Sequence, residues 1–372
     1  MGALAKHIRM VDWLLIVPIL LVMSVGLVTN FPVEGFSSGS LFFKQLIFCG
    51  IGVGILFFFS MNTYTILKGP FVSSILFLVG VFLLVAVLLF GQEINGAKSW
   101  FLFGPIALQP VEFVKIILIV VLARYFASRH IHIHHIRHVL VSLVLAGTVF
   151  LLVFKQPDLG SSVILLAIWA GMIFVSGVSK KHIVVLLLCA VAGSLLAWQF
   201  MPDYQRQRVL SFAAPLENLQ SSGYTAYQSK IAIGSGDLLG KGIGAGTQSK
   251  LGFLPLYESD FVYSAFAEEW GFVGVGLLFL LYAIIGWRLL WHAAYGRTNF
   301  ETLFAIGVFV FLFSHIVLHV GVTTGIFPVT GITLPFMSYG GSHLIAETLA
   351  VAMVLGMSRL QVSGGLLSSS QV

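Results

Sequence analysis

Long apolar runs, rather than alternating apolar and polar positions, dominate the pattern of this 372-residue chain. A run of about 20 apolar residues can cross a bilayer as a helix, which satisfies its backbone polar groups internally. The pattern therefore predicts an all-α integral membrane protein with about ten transmembrane helices. The predicted spans are 12–30, 41–60, 71–90, 112–127, 137–154, 161–178, 182–200, 266–287, 303–322 and 343–358.

The composition agrees with a chain embedded in lipid, since 58% of the residues are hydrophobic and 9% are charged. Soluble domains carry about 25% charged residues, so this chain has too few to cover a water-facing surface. The net charge of +6 fits the positive-inside rule better than it fits a nucleic-acid partner. Cys49 and Cys189 lie inside apolar runs and are interpreted as small core residues rather than as a disulfide.

Charged residues sort between the two sides of the predicted membrane. An even number of spans puts both termini on one side, and eleven of the twenty basic residues fall there. Short cytoplasmic loops are rich in lysine and arginine, so we expect both termini in the cytoplasm and most acidic residues at the outer face. The basic residues are Lys6, Arg9, Lys68, Arg124, Arg129, Arg137, Lys180, Lys181, Arg288, Arg297 and Arg359.

One connection, residues 201–265, is far longer than the others and is predicted as an extracytoplasmic loop between helices 7 and 8. Loops of this length are usually functional or disordered. Aromatic and apolar residues occur throughout it and its charges cancel, so we expect it to fold back over the helices within a single membrane domain, 1–372. No convincing internal repeat is present, which leaves an inverted-repeat transporter without direct support.

Unusual residues concentrate in four segments of the predicted outer face. In the first, 95–115, Glu112 and Lys115 lie three apart and therefore on one helix face. They are interpreted either as a mutually neutralising structural pair or as a charged lining for an anionic head group. In the second, 155–162, Asp158 precedes a span, where it is either a helix cap or part of a site.

The third segment, 247–269, contains Asp260 at the point where the long loop re-enters the membrane. A partly desolvated carboxylate there suits a general base, and the alternative is a simple cap for the next helix. The fourth segment, 323–343, has two prolines, several glycines and no Asp, Glu, Lys or Arg. It is predicted to be a broken or re-entrant segment, either a rigid loop or a wall whose amides and hydroxyls bind an anion or a sugar.

Two further patterns are given structural interpretations. The glycines between 240 and 246 contain a GxG spacing, but no strand precedes them and they lie on the outer side, so no nucleotide site is expected. The histidines between 130 and 138 alternate with Arg129 and Arg137 and are interpreted as an interfacial basic loop rather than a metal site. No clear metal-ligand cluster is predicted on the outer face.

Five motifs occur in order along the chain: GAKSW, QPVE followed by Lys115, KQPDLG, GTQS with the later FLP, DF and AEE, and PVTGITLPFMSYGGS. With them the chain resembles the SEDS family of cell-wall polymerases, the family of RodA, FtsW and SpoVE, over about residues 10–360. The GTQS segment is more similar to the RodA branch than to the FtsW branch.

The resemblance implies ten transmembrane helices and a peptidoglycan glycosyltransferase that polymerises lipid II during cell-wall elongation. The implied location is the bacterial inner membrane, with multiple passes. The implied partners are a class B penicillin-binding protein and other membrane proteins of the elongation complex, and not nucleic acid. No cofactor is certain, and a divalent cation, Mg²⁺ or Mn²⁺, stays an open alternative.

Carried over by motif, the resemblance implies that Asp260 is the catalytic residue. It implies that substrate binding falls on residues of all four segments. These are Lys98, Trp100, Gln109, Glu112, Lys115, Asp158, Gln248, Ser259, Ser338, Gly340, Gly341 and Ser342.

Several positions depart from the family pattern. Ser99 stands where arginine usually precedes the tryptophan, although Lys98 beside it offers a point charge without arginine's fork. Val111 replaces the usual serine, Glu258 adds a second acid before Ser259, and His319 stands where asparagine is common. These departures bear on the pyrophosphate contacts rather than on the reaction class.

The predicted reaction begins when Asp260 removes a proton from the C4 hydroxyl of the acceptor N-acetylglucosamine of lipid II. Lys98, Lys115 and Arg206 or Arg208 are candidates to neutralise the leaving pyrophosphate. The rival interpretations are a lipid II flippase or other transporter and a non-enzymatic scaffold for a penicillin-binding protein. A transporter would move lipid II without lengthening it, and a scaffold would tolerate loss of Asp260.

Overall fold

The computed structural model describes residues 12–31, 41–62, 64–94, 96–104, 106–129, 136–179, 181–182, 198–199, 206, 210, 212 and 222–368. The helices of this part of the chain are labelled α1 to α11 in chain order. The first six are Trp13–Thr29, Leu41–Phe59, Pro70–Phe90, Pro110–Ala127, Ile136–Phe154 and Leu159–Val175. The last five are Ser222–Ser235, Thr247–Lys250, Val262–Ala294, Asn299–Thr323 and Gly341–Ser368.

These helices confirm a multi-pass, predominantly α-helical membrane protein. Within the described ranges, six helices are long and apolar enough to cross a bilayer, namely α2, α3, α5, α9, α10 and α11. The shorter apolar helices α1 and α6 and the charged helix α4 coincide with three further predicted spans. Most of the predicted span 182–200 and most of the first part of the predicted loop, between 201 and 221, lie outside the described residues. The count of ten spans therefore stays a prediction.

Helix α4 lies inside the bundle although it carries Glu112, Lys115 and Arg124. It packs against α3, α6, α10 and α11, and most of its residues are buried. Outer helices such as α3 instead expose large apolar side chains, among them Phe82 and Phe90 at 70% and 77%. Apolar side chains at that surface are expected in lipid, whereas the charges of α4 are shielded from lipid by neighbouring helices.

A small antiparallel sheet between α3 and α4 departs from the all-α prediction. Its strands are β1 (Gln92–Ile94), β2 (Ala97–Phe103) and β3 (Ile106–Leu108), in the order β1-β2-β3. Gly96 and Gly104 lie in its two turns with φ of 82° and 60°, values that glycine adopts without steric cost. The segment is too short to form another span, and pairing three short strands satisfies its backbone groups at the end of the bundle.

Helix α9 is kinked at Gly271, where φ is 66° and ψ is −167°. The preceding loop, 236–242, docks into the break: the amides of Phe272 and Val273 donate to loop carbonyls at 2.9 and 3.1 Å. Two loop amides donate back to α9 carbonyls at 3.0 Å. A Cβ on Gly240 would overlap a carbonyl of α9. Gly240 and Gly242, which belong to the GxG spacing, therefore lie where the loop backbone packs closely against the backbone of α9.

An ion-pair cluster joins α1 to the far end of α9, away from the Asp260 turn that precedes this helix. Arg288 donates to Asp12 at 2.6 Å, and His292 Nε2 lies 2.8 Å from the same carboxylate oxygen. A second ion pair joins Lys68, which precedes α3, to Glu301 in the first turn of α10 at 2.7 Å. Arg288 and Lys68, which were predicted to face the cytoplasm, therefore lie near the end of α9 that is opposite the Asp260 turn.

Candidate functional site

A cavity of about 320 Å³ opens at the end of the bundle where α4, α6 and α11 begin. All four segments singled out in the sequence contribute to its wall, together with Phe48 of α2. Nine of the predicted site residues line it: Trp100, Gln109, Glu112, Asp158, Ser259, Asp260, Gly340, Gly341 and Ser342.

The floor of the cavity is a buried charged cluster built on the first two turns of α4. Pro110 occupies the first helical turn, where its missing amide hydrogen costs nothing. Glu112 and Lys115 follow one turn apart, and Lys115 Nζ donates to Glu112 Oε1 at 2.7 Å. Their side chains are 5% and 0% exposed, so each charge depends on its partner for stabilisation. The pair is thus mutually neutralising, and its glutamate also faces the cavity.

Two histidines extend this cluster across the bundle. His315 of α10 has Nε2 3.2 Å from Lys115 Nζ, and its Nδ1 lies 3.3 Å from Thr333 O. A carbonyl only accepts, so His315 Nδ1 carries the hydrogen and Nε2 accepts from the ammonium. His343 of α11 has Nδ1 3.2 Å from Glu112 Oε2 and Nε2 2.9 Å from Glu347 Oε1.

One side of the cavity is fixed by Asp158, Gln109 and Ser342. Asp158 caps α6 by accepting from Ser161 N at 2.9 Å, and it also accepts from Gln109 Nε2 at 3.2 Å. Burial raises the pKa of Asp158, although the hydrogen bond from Ser161 and the charge of Lys115 oppose the shift. Ser342 Oγ accepts from Gln109 N and donates to Ala107 O, both at 3.1 Å. Asp158 is therefore a helix cap that also faces the cavity.

The opposite rim is the turn 258–260, which precedes α9. Its backbone is tied down at three points: Tyr339 N donates to Glu258 O at 2.8 Å, Asn30 Nδ2 to the same carbonyl at 3.4 Å, and Ser338 Oγ to Ser259 O at 2.7 Å. These ties hold the Asp260 carboxyl at the cavity wall.

The uncharged segment 324–340, between α10 and α11, forms the remaining wall and is not helical, which confirms the predicted break. Two of its backbone groups bond to side chains of the neighbouring helices: Ile332 O accepts from His319 at 2.7 Å, and Phe336 N donates to Glu347 at 2.9 Å. Gly331 has a φ of 67°, and a Cβ there would lie 3.5 Å from Asp260 Oδ2. The segment thus passes directly beside the Asp260 carboxylate.

Four predicted site residues do not line the cavity. Lys115 lies behind Glu112, and Ser338 braces the turn below Ser259. Lys98 lies on strand β2 and donates to Leu89 O of helix α3 at 3.1 Å. The amide of Gln248 donates to Glu268, a buried acid of α9 that also accepts from Lys241 at 2.8 Å. No lysine or arginine is among the described residues of the cavity wall.

Sequence reasoning missed His315, His343 and Gln45, and it did not assign Glu268 or Glu347 a partner. Gln45 is buried in α2 and donates to Met337 O at 3.1 Å, which ties α2 to the non-helical segment. A usable signal existed, because an ionisable side chain within a span is rare and commonly functional. His315 and His319, like His343 and Glu347, are spaced four apart within spans.

Comparison with known proteins gives a consistent result. The chain matches the FtsW/RodA/SpoVE family, described as "Cell cycle protein", over residues 5–362. It is 40% identical over 283 residues to the peptidoglycan glycosyltransferase MrdB of Escherichia coli K12, covering 76% of each chain. It is 34% identical over 358 residues to stage V sporulation protein E of Bacillus subtilis, covering 94% of this chain and 97% of that one.

A solved structure described as "Structural coordination of polymerization and crosslinking by a peptidoglycan synthase complex" has a chain with the same fold. The TM-score is 0.79 at 30% identity, over 94% of this chain and 98% of the other. The motifs, the helical fold and these matches agree over nearly the whole length. The chain belongs to the FtsW/RodA/SpoVE family.

Proposed function

We propose that this protein is a peptidoglycan glycosyltransferase that polymerises lipid II during cell-wall elongation, with Asp260 as the general base. The observation that carries the proposal is the Asp260 carboxylate, held at the wall of a cavity by a turn whose backbone is anchored to α1 and to the segment 324–340. The relative MrdB, named a peptidoglycan glycosyltransferase, supports the reaction class.

In this proposal Asp260 accepts the proton of the C4 hydroxyl of the acceptor sugar. The oxygen attacks C1 of the donor chain with inversion, and undecaprenyl pyrophosphate leaves with the bonding electron pair. Neighbouring hydroxyls and amides, such as those of Ser259, Gln109 and Ser342, are suited to orient the sugars. Orientation of this kind supplies a large part of the acceleration in glycosyl transfer.

The leaving pyrophosphate needs positive charge. Lys115 contacts Glu112 and His315, which both line the cavity, and its ammonium is bound by these two residues. Lys98 lies on the neighbouring sheet, and Arg206 donates to Trp198 O at 3.0 Å. Arg208 falls outside the described residues. We propose that Lys98 and Lys115 contribute to pyrophosphate binding from outside the cavity wall.

The proposed location is the bacterial inner membrane, with both termini in the cytoplasm and the cavity on the outer side. The basic residues Arg288 and Lys68, remote from the Asp260 turn, support that orientation. The proposed partners are a class B penicillin-binding protein and other elongation-complex membrane proteins. The structural relative described as part of a peptidoglycan synthase complex supports such a partner.

The test compares glycan synthesis by purified wild type, Asp260→Asn and Asp237→Asn, each supplied with lipid II and a class B penicillin-binding protein. Asp237 is an exposed acid of the same outer region, away from the cavity, so its substitution is the matched control. Removal of a general base costs about 10²–10⁴ in rate. We expect that loss for Asp260→Asn and a rate near that of the wild type for Asp237→Asn.

Two results would reject parts of the proposal. Glycan synthesis by Asp260→Asn at the rate of the wild type would remove Asp260 as the base. Transfer of labelled lipid II between leaflets without any lengthening, in the wild type itself, would replace the polymerase with a transporter.

A further inference from the structure

Three donor atoms from three helices converge on the cavity floor. The carboxylate of Glu112 on α4, an imidazole nitrogen of His315 on α10 and one of His343 on α11 all lie within 4.8 Å of one another. All three residues line the cavity. Two imidazoles and one carboxylate, with the remaining positions open, form a donor set that binds divalent transition metals.

The outer nitrogen of each ring lies beside an oxygen atom, as it does in most metal-binding histidines. His315 donates through Nδ1 to Thr333 O, which turns its Nε2 lone pair toward the cluster. His343 Nε2 lies 2.9 Å from the carboxylate of Glu347, which leaves Nδ1 directed at Glu112. Each ring is thus held so that one nitrogen is directed inward.

The contact between Glu112 and His343 has the spacing of two ligands of one metal ion. His343 Nδ1 and Glu112 Oε2 are 3.2 Å apart, a distance that suits either an N–H···O hydrogen bond or two ligands of a shared ion. Two ligands at about 2.1 Å from one ion stand about 3.0–3.4 Å apart at octahedral or tetrahedral angles. The observed separation fits two ligands of the same ion.

From this geometry we propose that Glu112, His315 and His343 bind one divalent transition-metal ion, of the class of Zn²⁺, Co²⁺ and Mn²⁺, with an open position toward the cavity. Imidazole donors favour these ions over Mg²⁺, which prefers oxygen ligands. Two carboxylates, those of Glu112 and Glu347, lie beside His343 in this cluster.

Lys115 competes with the ion for the same lone pairs. Its ammonium lies 2.7 Å from Glu112 Oε1 and 3.2 Å from His315 Nε2, so the ion must displace it. An ion at this floor would also give the cavity a positive charge that no described lysine or arginine of its wall provides. That role rests on the proposed function, whereas the binding itself does not.

The experiment measures metal binding by the purified full-length protein without any lipid substrate. The histidines at 130, 132, 134 and 135 are first replaced by Asn to remove any background uptake by this histidine-rich run, and the affinity tag contains no histidine. After addition of ZnCl₂ and desalting, we expect one retained equivalent of zinc. CoCl₂ should give the visible ligand-field band of a site with nitrogen and oxygen donors, and MgCl₂ in excess should displace neither ion.

Variants assign the site. His315→Ala and His343→Ala should each lose the retained equivalent, and Glu347→Gln, which removes the outer partner of His343, should weaken binding by about 10–100-fold. Lys115→Met should bind more tightly, because the competing ammonium is absent. His292→Ala is the matched control: it removes a buried histidine paired with a carboxylate remote from the cavity, and it should leave binding unchanged.

Zinc retained by both histidine variants as in the parent protein would overturn the proposal, and so would a parent protein that takes up no zinc or cobalt. If the histidine variants fail to fold, X-ray absorption at the zinc edge of the parent protein decides. Two imidazole ligands with oxygen support the site, and any other ligand shell overturns it. Because no lipid II is used, a negative result here leaves the proposed reaction untouched.

Discussion

The ion pair between Glu112 and Lys115 allows a direct test of how burial sets the strength of a charge interaction. A buried charge that loses its partner typically destabilises a protein by about 3–5 kcal/mol, because its desolvation is no longer compensated. Lys115→Met leaves Glu112 with only His343, 3.2 Å away. We therefore expect a loss at the lower end of that range, about 3 kcal/mol.

A double-mutant cycle with Glu112→Gln isolates the interaction. The double variant should recover a large part of the loss, which gives a coupling of about 2–3 kcal/mol, near the upper end for contacting residues. Lys68 and Glu301 provide the matched control, since they pair at the same 2.7 Å but Lys68 is 29% exposed. Their coupling should stay below about 1 kcal/mol.

The assay is reversible unfolding in mixed micelles, followed by tryptophan fluorescence as denaturing detergent is titrated. Equal coupling energies for the two pairs would refute the reasoning, because the pairs share distance and chemistry and differ in burial. A double variant less stable than Lys115→Met would also refute it, since that result would show no stranded charge in the single variant.

Three other predictions concern pH and backbone packing. Burial raises the pKa of Asp158. The free energy of unfolding should therefore fall as pH rises from about 3.9, the pKa in the unfolded state, to the higher pKa of the folded state. Asp158→Asn should abolish this decrease, measured as melting temperature against pH. The pKa shift of Asp12 has the opposite sign. Burial opposes its ionisation, but its histidine and arginine partners outweigh burial and lower its pKa. The melting-temperature deficit of Asp12→Asn at neutral pH should therefore vanish as pH falls from about 3.9 through the folded-state pKa. Gly240→Ala should destabilise the fold much more than Gly242→Ala in the same melting assay. Both glycines have positive φ, but only at Gly240 would a Cβ overlap backbone of α9; equal losses would show that the docked loop is not tightly packed.

The sequence pattern predicted the helices well because a bilayer requires each spanning helix to be about 20 residues long and predominantly apolar, and both properties are visible in the sequence. The predicted fourth span, 112–127, agrees with the observed Pro110–Ala127 despite its charges. The break before α11 also follows from local composition, since its prolines and glycines cannot continue a helix. The sheet 92–108 was not predicted, because its strands are short and obtain their partners only from each other.

The chemistry of the site was only partly predictable for a different reason. Motifs identified Glu112, Asp158 and Asp260, which the structure brings to one cavity. The two histidines of this cluster, however, come from distant helices: His315, which contacts Lys115, is 200 residues further along the chain, and His343, which contacts Glu112, is 231 residues further along. Their approach is determined by packing. Ser338 and Gln248 were predicted to bind substrate, and the structure instead places them in hydrogen bonds that brace the neighbouring loops. Their role in binding stays a prediction.

The pH dependence of lipid II polymerisation tests most directly whether Asp260 acts as a base at this cavity. The wild-type rate should fall at acidic pH as a single proton blocks the base, and the residual rate of Asp260→Asn should lose that acidic limb. Asp237→Asn should keep the wild-type profile. An acidic limb that persists unchanged in Asp260→Asn would show that another group accepts the proton and would contradict the account.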